Sequence, residues 1–425
     1  MKLLIKNGHI VDPANKIDET QDILIKDAKI SKVAKNIKEK ADKIIDATDK
    51  ILMPGLVDMH VHLREPGRKD KETVASGTKA ALKGGITSVV AMPNTQPPMD
   101  SADNIKLLKT IIKKTAEANV FIAGTITFGR LGKESTDVGS LRKEGAIVIT
   151  DDGSSVDDEN LLFQALKDTK KEKILLISHC EDKSLSNNGV VNLGFISTIL
   201  GLRSVPKESE YKIVERDIKL ADKVGASIHI AHVSCKESVD IIAKAKKRGV
   251  KVTAETAPHY FALDEESLLT YDTNLKINPP LRTKEDLKAI KQGLKSGIID
   301  CIASDHAPHT RPEKEVSFEE AAFGTIGLET ALAVAITELL DTSILTWTQL
   351  VERMSLSPAT ILGIDKGTLS VGKDADIVIV NPNKEWTVTQ DCFESKSKNS
   401  AFIGKKLKGA VAYTICAGKI AYKSK

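Results

Sequence analysis

The feature that most constrains the fold is a series of eight short apolar segments, rich in β-branched residues, between residues 56 and 304. They are LVDMHVH (56–62), ITSVVAM (86–92), VFIAGTIT (120–127), AIVIT (146–150), ILLIS (174–178), SIHIAH (227–232), VKVTAET (250–256) and DCIAS (300–304). Amphipathic stretches such as KETVASGTKAALKGG (71–85) separate most of them. Strands that alternate with helices in this way predict an α/β fold, a (β/α)8 barrel of the TIM type.

The two ends of the chain follow another pattern, in which apolar and polar residues alternate between Gly, Asp, Asn and Pro turns. It is seen in KLLIKNGHIVD (2–12) and again in KGAVAYTICAGKIAYK (408–423). Because a short isolated hairpin is only marginally stable, both ends are predicted to form one small β-sandwich domain. The predicted boundaries are 1–52 and 364–425 for the two parts of this domain and 53–363 for the catalytic barrel.

Charge and composition argue against several classes of function. The chain has 62 basic and 58 acidic residues, and no basic stripe of the kind that binds nucleic acid. Lys6 and Asn7 interrupt the first apolar run, so we expect no signal peptide, and no run approaches the roughly 20 apolar residues of a membrane span. Five scattered cysteines without a Cys-x-x-Cys pair predict free thiols in a reducing cytoplasm.

Candidate metal ligands follow five of the eight predicted strands. The carboxyl ends of barrel strands open on the face that holds the active site, so these side chains are expected to converge. Each alone is typical of a structural histidine or a turn aspartate, and their equivalent strand positions favour a shared metal site. The candidates are His60, His62, Asp152, His179, His232 and Asp305.

His60 and His62 point to the same side of a strand, because side chains alternate with period two. One metal ion can therefore bind both. Asp152 is favoured over Asp151 as a carboxylate that could bridge two metals, and His229 is expected to point away from the site. Imidazole and carboxylate ligands without thiolate suit zinc.

Eight strings in the sequence resemble the amidohydrolase superfamily, and in particular the class I dihydroorotases. They are DMHVHLREPG (58–67), AMPNT (91–95), TDDG (150–153), SHCED (178–182), IAHVS (230–234), NPPLR (278–282), SDHAPH (304–309) and FGTIGLET (323–330). The resemblance covers essentially the whole chain. It implies a zinc-dependent cyclic amide hydrolase that reversibly converts N-carbamoyl-L-aspartate into (S)-dihydroorotate, the third step of de novo pyrimidine (UMP) synthesis.

The resemblance also implies how the metal is held. His60, His62 and Asp305 would bind one zinc, His179 and His232 a second, and Asp152 and a hydroxide would bridge the two zinc ions of each subunit. Related enzymes often bridge with a carboxylated lysine, but TDDG contains no lysine, so none is expected. Asp305 would take the proton of the hydroxide and pass it to the leaving nitrogen.

A substrate-binding set follows from the same resemblance: His62, Arg64, Asn94, Asn278, His309, Phe323 and Gly324. Arg64, Asn94 and His309 would hold the substrate carboxylate, since a guanidinium offers a planar fork to a carboxylate. An ion pair with Glu65 is the alternative for Arg64. His259 and His306 are expected either to support the residues of the site from behind or to be structural. Polar residues 309–320 are hypothesised to form a mobile loop that closes over the substrate.

Two other functions remain open from the sequence. A sister cyclic amidase, a hydantoinase or allantoinase, would share the metal scaffold but bind a different substrate. A non-catalytic scaffold for aspartate transcarbamoylase would be expected to lack metal ligands. The partner expectations are the small-molecule substrate, a homodimer and association with aspartate transcarbamoylase.

Overall fold

The structure is a computed structural model and describes residues 2–424. Within that range, five strands precede the barrel: β1 (Lys2–Asp12), β2 (Ile17–Lys26), β3 (Lys29–Ala34), β4 (Lys43–Asp46) and β5 (Ile51–Pro54). The next ten strands include the eight strands of the barrel: β6 (Leu56–Val61), β7 (Ile86–Ala91), β8 (Asn119–Gly124), β9 (Ala146–Ile149), β10 (Leu175–Ser178), β11 (Val191–Asn192), β12 (Ser204–Val205), β13 (Ile228–Ile230), β14 (Val252–Thr256) and β15 (Cys301–Ile302). The chain then adds β16 (Ile377–Thr387), β17 (Lys406–Cys416) and β18 (Lys419–Lys423).

The α-helices lie between and after the barrel strands. They are α1 (Val74–Lys83), α2 (Ala102–Thr115), α3 (Val138–Glu144), α4 (Glu159–Glu172), α5 (Lys183–Ser186), α6 (Phe195–Leu200), α7 (Glu208–Val224), α8 (Lys236–Lys247), α9 (Pro258–Ala262), α10 (Lys284–Ser296), α11 (Arg311–Lys314), α12 (Ala331–Ala335), α13 (Trp347–Val351) and α14 (Ser357–Leu362). Side-chain caps fix several starts, such as Thr73 before α1 and Thr283 before α10. Across residues 2–424, no helix has the length and apolarity needed to cross a bilayer.

Eight parallel strands form the barrel in the order β6-β7-β8-β9-β10-β13-β14-β15. His62 N donates to His306 O at 2.9 Å, which joins the first strand to the segment after the last. Apolar side chains from the strands, among them Met59, Val90, Val148 and Ile177, pack together inside. Strands buried on both faces explain the continuous apolar runs in the sequence. The predicted (β/α)8 barrel is confirmed.

The second sheet combines both ends of the chain, in the order β18-β17-β16-β5-β1-β2-β3 with β4 on β1. β5 pairs with β1 from one end and with β16 from the other. The sheet curls, since Ile30 N donates to Lys373 O at 2.9 Å, and it encloses its own apolar core. A β domain built from both ends is therefore confirmed, whereas the domain boundaries stay predictions.

Between β16 and β17, residues 393–401 leave the sheet and lie against the mouth of the barrel. We call them the returning segment. Glu329 anchors it, since its Oε1 accepts hydrogen bonds from Glu394 N at 2.9 Å and Ser395 N at 3.0 Å. The carboxyl-terminal part of the chain thereby reaches the face of the barrel on which the candidate ligands lie.

Candidate metal centre and substrate pocket

The six predicted ligands lie within three residues of the carboxyl end of a barrel strand. His60 belongs to β6 and His62 follows it directly, while His179 follows β10 directly. The remaining three, Asp152, His232 and Asp305, follow β9, β13 and β15. All six side chains are buried. The closed barrel brings them together from five separate parts of the sequence.

The ligand atoms form two clusters that share Asp152. In the first, Asp152 Oδ1 is 3.1 Å from His60 Nε2 and Oδ2 is 3.5 Å from His62 Nε2. In the second, Asp152 Oδ1 is 3.7 Å from His179 Nδ1 and 3.8 Å from His232 Nε2. Asp305 Oδ1 adjoins the first cluster, 3.3 Å from His62 Nε2. This is the geometry of a carboxylate placed between two candidate cation positions.

Asp151 has a different role from its neighbour. Its Oδ1 accepts hydrogen bonds from Ile126 N at 2.8 Å and Thr127 N at 3.1 Å, and its Oδ2 accepts one from the Thr127 hydroxyl. These contacts tie the loop after β8 to the loop after β9. The carboxylate of Asp151 therefore binds backbone and side-chain groups of the loop after β8, whereas Asp152 points into the site.

Partners on the outer ring nitrogens orient two of the histidines. His62 Nδ1 donates to Asn94 Oδ1 at 2.9 Å, which leaves Nε2 facing Asp152 and Asp305. His179 Nε2 donates to Glu181 Oε2 at 3.3 Å, which leaves Nδ1 facing His232 Nε2 at 2.7 Å. Hydrogen bonds of this kind fix the tautomer of a metal-binding imidazole.

The donor set fits a divalent metal ion. Within residues 2–424, His60 Nε2 is buried without a hydrogen-bond partner although it faces a carboxylate. His179 Nδ1 and His232 Nε2 both face Asp152 Oδ1, so the second cluster offers two imidazole nitrogens and a carboxylate oxygen. Asp305 Oδ1 lies 3.3 Å from His62 Nε2 and 3.6 Å from His60 Nε2, so its carboxylate faces both histidines of the first cluster. An ionised Asp305 can accept a proton.

Three residues of the site have positive φ angles although they are not glycine: Arg64 (57°), His232 (36°) and Asp305 (47°). Such a conformation costs roughly 1–3 kcal/mol per residue and persists where the surrounding structure enforces it. Strain of this kind tends to concentrate at functional sites. Its presence at Arg64, His232 and Asp305 agrees with the assignment of this face as the working face of the barrel.

A cavity of about 260 Å³ opens above the two clusters. Its lining contains Asp152, His179, His232 and Asp305 together with every residue predicted to bind substrate: His62, Arg64, Asn94, Asn278, His309, Phe323 and Gly324. No lysine lines it among the residues that the structure describes. The absence of a carboxylated lysine stays a prediction.

One wall of this cavity is positively charged. Burial lowers the pKa of Arg64 to about 10, so the guanidinium stays charged at neutral pH, and its Nε donates to Pro308 O at 3.2 Å. Glu65 instead contacts Val74 N and Lys69, so the ion pair considered for Arg64 is not formed. A buried arginine facing a cavity is suited to a carboxylate ligand.

His309 lies beside Arg64 and is neutral. Burial, followed by the charges of Arg64 and Lys71, lowers the pKa of His309 far below its ordinary value. Lys71 Nζ donates to His309 Nδ1 at 3.1 Å, so the ring proton lies on Nε2. Nε2 is 3.4 Å from a terminal nitrogen of Arg64. The wall therefore offers a guanidinium and an imidazole N–H side by side.

The adjoining wall is formed by Phe323 and Gly324. Gly324 has a φ of +132°, and a Cβ there would lie 2.7 Å from Ala307 Cβ and 3.2 Å from His309 Nε2. Its N–H donates to Lys276 O at 2.8 Å, and its carbonyl accepts from Lys314 Nζ at 3.1 Å. Both backbone groups of Gly324 are thus engaged, which leaves hydrogen bonding to substrate at this wall to Phe323.

The loop hypothesised to be mobile, residues 309–320, contains the short helix α11. Glu313 contacts Lys71 Nζ at 2.8 Å and Arg68 at 3.0 Å. Lys314 is only 4% exposed, and its Nζ also donates to Ala322 O at 2.7 Å. The loop is therefore pinned to the barrel in this structure, and its closure over substrate stays a prediction.

Several residues at the site were missed in the sequence. Glu181 lies two residues after His179 in SHCED and could have been noticed there. Asn278 Nδ2 donates to Glu181 Oε2 at 3.1 Å, so a predicted substrate residue also supports a ligand partner. Asn399, in the returning segment, forms hydrogen bonds with His309 and Gly324, but no pattern in the sequence around it indicated a place at the site. His229 and His306 lie in neither cluster, but His229 does not point away from the barrel interior as predicted, since its Nε2 is 3.4 Å from Glu255 Oε2.

The chain matches two family models and is similar in sequence to known dihydroorotases. A family model described as Dihydro-orotase-like matches residues 49–238, and one described as Amidohydrolase family matches residues 210–422. The chain is 53% identical over 420 residues to the dihydroorotase of Elusimicrobium minutum, covering 99% of this chain and 97% of that relative. It is 47% identical over 424 residues to the dihydroorotase of Geobacter metallireducens, covering 100% of each.

Solved structures of similar fold include hydantoinases. The L-hydantoinase (dihydropyrimidinase) from Arthrobacter aurescens has a TM-score of 0.90 and 26% identity, covering 99% of this chain and 96% of that chain. A D-hydantoinase has a TM-score of 0.88 and 26% identity, covering 100% and 95%. The whole architecture, barrel and terminal sheet together, is therefore shared with cyclic amidases.

Proposed function

This chain belongs to the dihydroorotases of the amidohydrolase family, and we propose that it interconverts N-carbamoyl-L-aspartate and (S)-dihydroorotate, the third step of de novo pyrimidine synthesis. The observation that carries the proposal is the cavity in which two ligand clusters sharing Asp152 face the Arg64–His309 wall. Dihydroorotate pairs a cyclic amide with a carboxylate. The clusters suit the amide, and the wall suits the carboxylate.

We further propose that the site binds two zinc ions. His60, His62 and Asp305 would hold one and His179 and His232 the other, with Asp152 in contact with both. Imidazole and carboxylate donors without thiolate support zinc. When bound, the metals supply a water molecule of lowered pKa and polarise the carbonyl group that it attacks.

The residues of the chain then have separate tasks. Arg64 and the Nε2–H of His309 bind the substrate carboxylate, and Asn94 fixes His62 beside it. Asn278 and the backbone of Phe323 hold the ring amide groups. Asp305 accepts the proton of the attacking water and delivers it to the leaving ring nitrogen, as positioned general acids and bases do. Ring closure uses the same groups in reverse.

A hydantoinase is the second candidate, since solved hydantoinase structures share this fold. The Arg64–His309 wall favours dihydroorotate, because hydantoin itself has no carboxylate to match that charge. An allantoinase has less support because allantoin, too, has no carboxylate, and a non-catalytic scaffold has less support because the full set of candidate ligands is present. Turnover of L-dihydroorotate, hydantoin and allantoin by the zinc-loaded protein tests these candidates. We expect ring opening of dihydroorotate only, and preference for hydantoin would reject the proposal.

The setting of the enzyme is also a proposal. The five free cysteines support a reducing compartment, the cytoplasm. A homodimer and an association with aspartate transcarbamoylase are expected as partners. Size-exclusion chromatography with light scattering, with and without the transcarbamoylase, measures both associations. A monomeric mass in both experiments would reject the homodimer and the complex with the transcarbamoylase.

A further inference from the structure

The barrel interior below the metal centre contains a line of buried polar side chains. Glu255, in β14, places Oε1 2.6 Å from His60 Nδ1. Its Oε2 is 3.4 Å from His229 Nε2, and His229 Nδ1 is 2.8 Å from the hydroxyl of Thr253. Glu255, His60 and His229 are each at most 1% exposed. Barrel interiors are mostly filled by apolar layers, so this polar line requires an explanation.

The geometry determines what Glu255 does to His60. An ionised carboxylate only accepts hydrogen bonds, so at 2.6 Å it receives the Nδ1 proton of His60. The lone pair of the imidazole is then on Nε2. That atom is 3.1 Å from Asp152 Oδ1 and 3.6 Å from Asp305 Oδ1, and it has no hydrogen-bond partner within residues 2–424.

We propose that Glu255 is a positioning residue for the metal centre, which fixes the tautomer and ring orientation of His60. The other oxygen of Glu255 lies 3.4 Å from His229 Nε2 without a hydrogen bond to it, so the contact with His60 is the one hydrogen bond that the Glu255 carboxylate makes to a histidine within residues 2–424. The inference rests on the proposed function only in taking His60 as a metal ligand. Removing the partner of a metal-binding histidine weakens metal affinity about 10- to 100-fold.

A second buried carboxylate–imidazole pair shows that burial alone does not create this role. Glu72 Oε2 is 3.3 Å from His306 Nε2, and both side chains are fully buried. His306 Nδ1, however, accepts a hydrogen bond from Gly327 N at 3.2 Å. Both nitrogens of His306 are used within the protein, whereas His60 leaves Nε2 for a metal. Glu72 is therefore the matched control for Glu255.

The test measures zinc affinity by chelator competition, and bound zinc per chain by elemental analysis, on the full-length protein. Glu255→Gln removes the charge but keeps an oxygen for His60 Nδ1 and offers an N–H to His229, so it is expected to fold. Its zinc affinity should fall about 10-fold, and that of Glu255→Ala by up to about 100-fold. Glu72→Gln should lower the melting temperature and leave zinc affinity within about threefold.

Three results would overturn the proposal. Zinc affinity of Glu255→Gln equal to that of the parent is one, whatever happens to kcat. An equal loss in Glu72→Gln is another, because the effect would then be general destabilisation. A parent protein that binds no zinc is the third. A parent that binds zinc but does not turn over dihydroorotate would reject the proposed function and leave the metal-affinity test of Glu255 intact.

Discussion

The ligand side and the substrate side of the pocket differ in how their residues are held. His60, His62 and His179 lie in or directly after barrel strands, so the hydrogen bonds of the sheet fix them. His309 and Gly324 lie on loops that depend on side chains from elsewhere, including Lys71, Lys314 and Asn399. The barrel itself positions the proposed metal ligands, whereas long-range contacts position the groups proposed to bind the substrate.

This difference has a kinetic consequence. A change on the ligand side removes stabilisation of the transition state and should lower kcat. A change on the substrate side removes contacts made equally by the bound substrate and the transition state, which raises KM and leaves kcat nearly constant. Each variant below therefore has an expected kinetic signature as well as an expected size.

Metal removal should have the largest effect. After dialysis against a chelator, turnover of dihydroorotate should fall below detection, because no remaining group makes water a sufficient nucleophile for an amide. Zinc re-addition should restore it. The assay pairs activity with zinc content and circular dichroism, which shows whether the barrel stays folded. Full turnover by protein with negligible metal content would contradict the metal centre altogether.

Asp305→Asn should have the next largest effect. The amide cannot take up a proton, so kcat should fall roughly 10²- to 10⁴-fold, the usual contribution of a general acid–base. KM should change little. Asp300→Asn is the control, since Asp300 pairs with Lys246 outside the pocket. Steady-state kinetics with zinc content measured in parallel checks both, and a rise in KM at constant kcat would place Asp305 on the substrate side.

The same contrast explains what the sequence could predict. The convergence of His60, His62, His179 and His232 could be predicted because the strand ends of one barrel must meet, whichever residues lie between them. The sequence could favour Asp152 over Asp151 as the bridging carboxylate but gave no physical reason for that choice. The structure provides one, because Asp151 accepts hydrogen bonds from the backbone of Ile126 and Thr127.

The supporting residues could not be predicted in this way. Glu255 sits within an apolar run, where period-two alternation does not reveal that it faces His60. Asn399 lies 90 residues from His309, with which it forms a hydrogen bond. Lys276 and Lys314 have the sequence appearance of solvated charges, yet both are buried below the Phe323–Gly324 wall. Such contacts depend on the path of the whole chain and not on a local pattern.

Arg64→Lys should have an intermediate effect on the substrate side. A lysine keeps the charge but loses the planar fork that binds a carboxylate through two hydrogen bonds. KM for dihydroorotate should rise about 10-fold, equivalent to about 1.4 kcal/mol, and kcat should change less than threefold. Arg68→Lys is the control, since Arg68 pairs with Asp70 and Glu313 at the surface. A fall in kcat at constant KM would assign Arg64 to the reaction chemistry instead.

Asn399→Ala should have the smallest effect and tests the substrate side most directly. Asn399 Oδ1 accepts from His309 N at 3.1 Å, and its Nδ2 donates to Ala307 O at 3.2 Å and Gly324 O at 3.1 Å. One side chain thus joins both walls of the pocket. Each hydrogen bond contributes about 0.5–1.5 kcal/mol, but Lys314 still holds Gly324, so the walls should loosen without separating.

The expected result for Asn399→Ala is a three- to tenfold rise in KM, with kcat and zinc content unchanged. Asn399→Asp should resemble it, because the carboxylate still accepts from His309 N but repels the two carbonyl groups. Asn381→Ala, in β16 outside the pocket, should leave KM as it is. If Asn399→Ala lowers the melting temperature but not substrate affinity, the returning segment only stabilises the fold. The loops that contain His309 and Gly324 would then be positioned without Asn399.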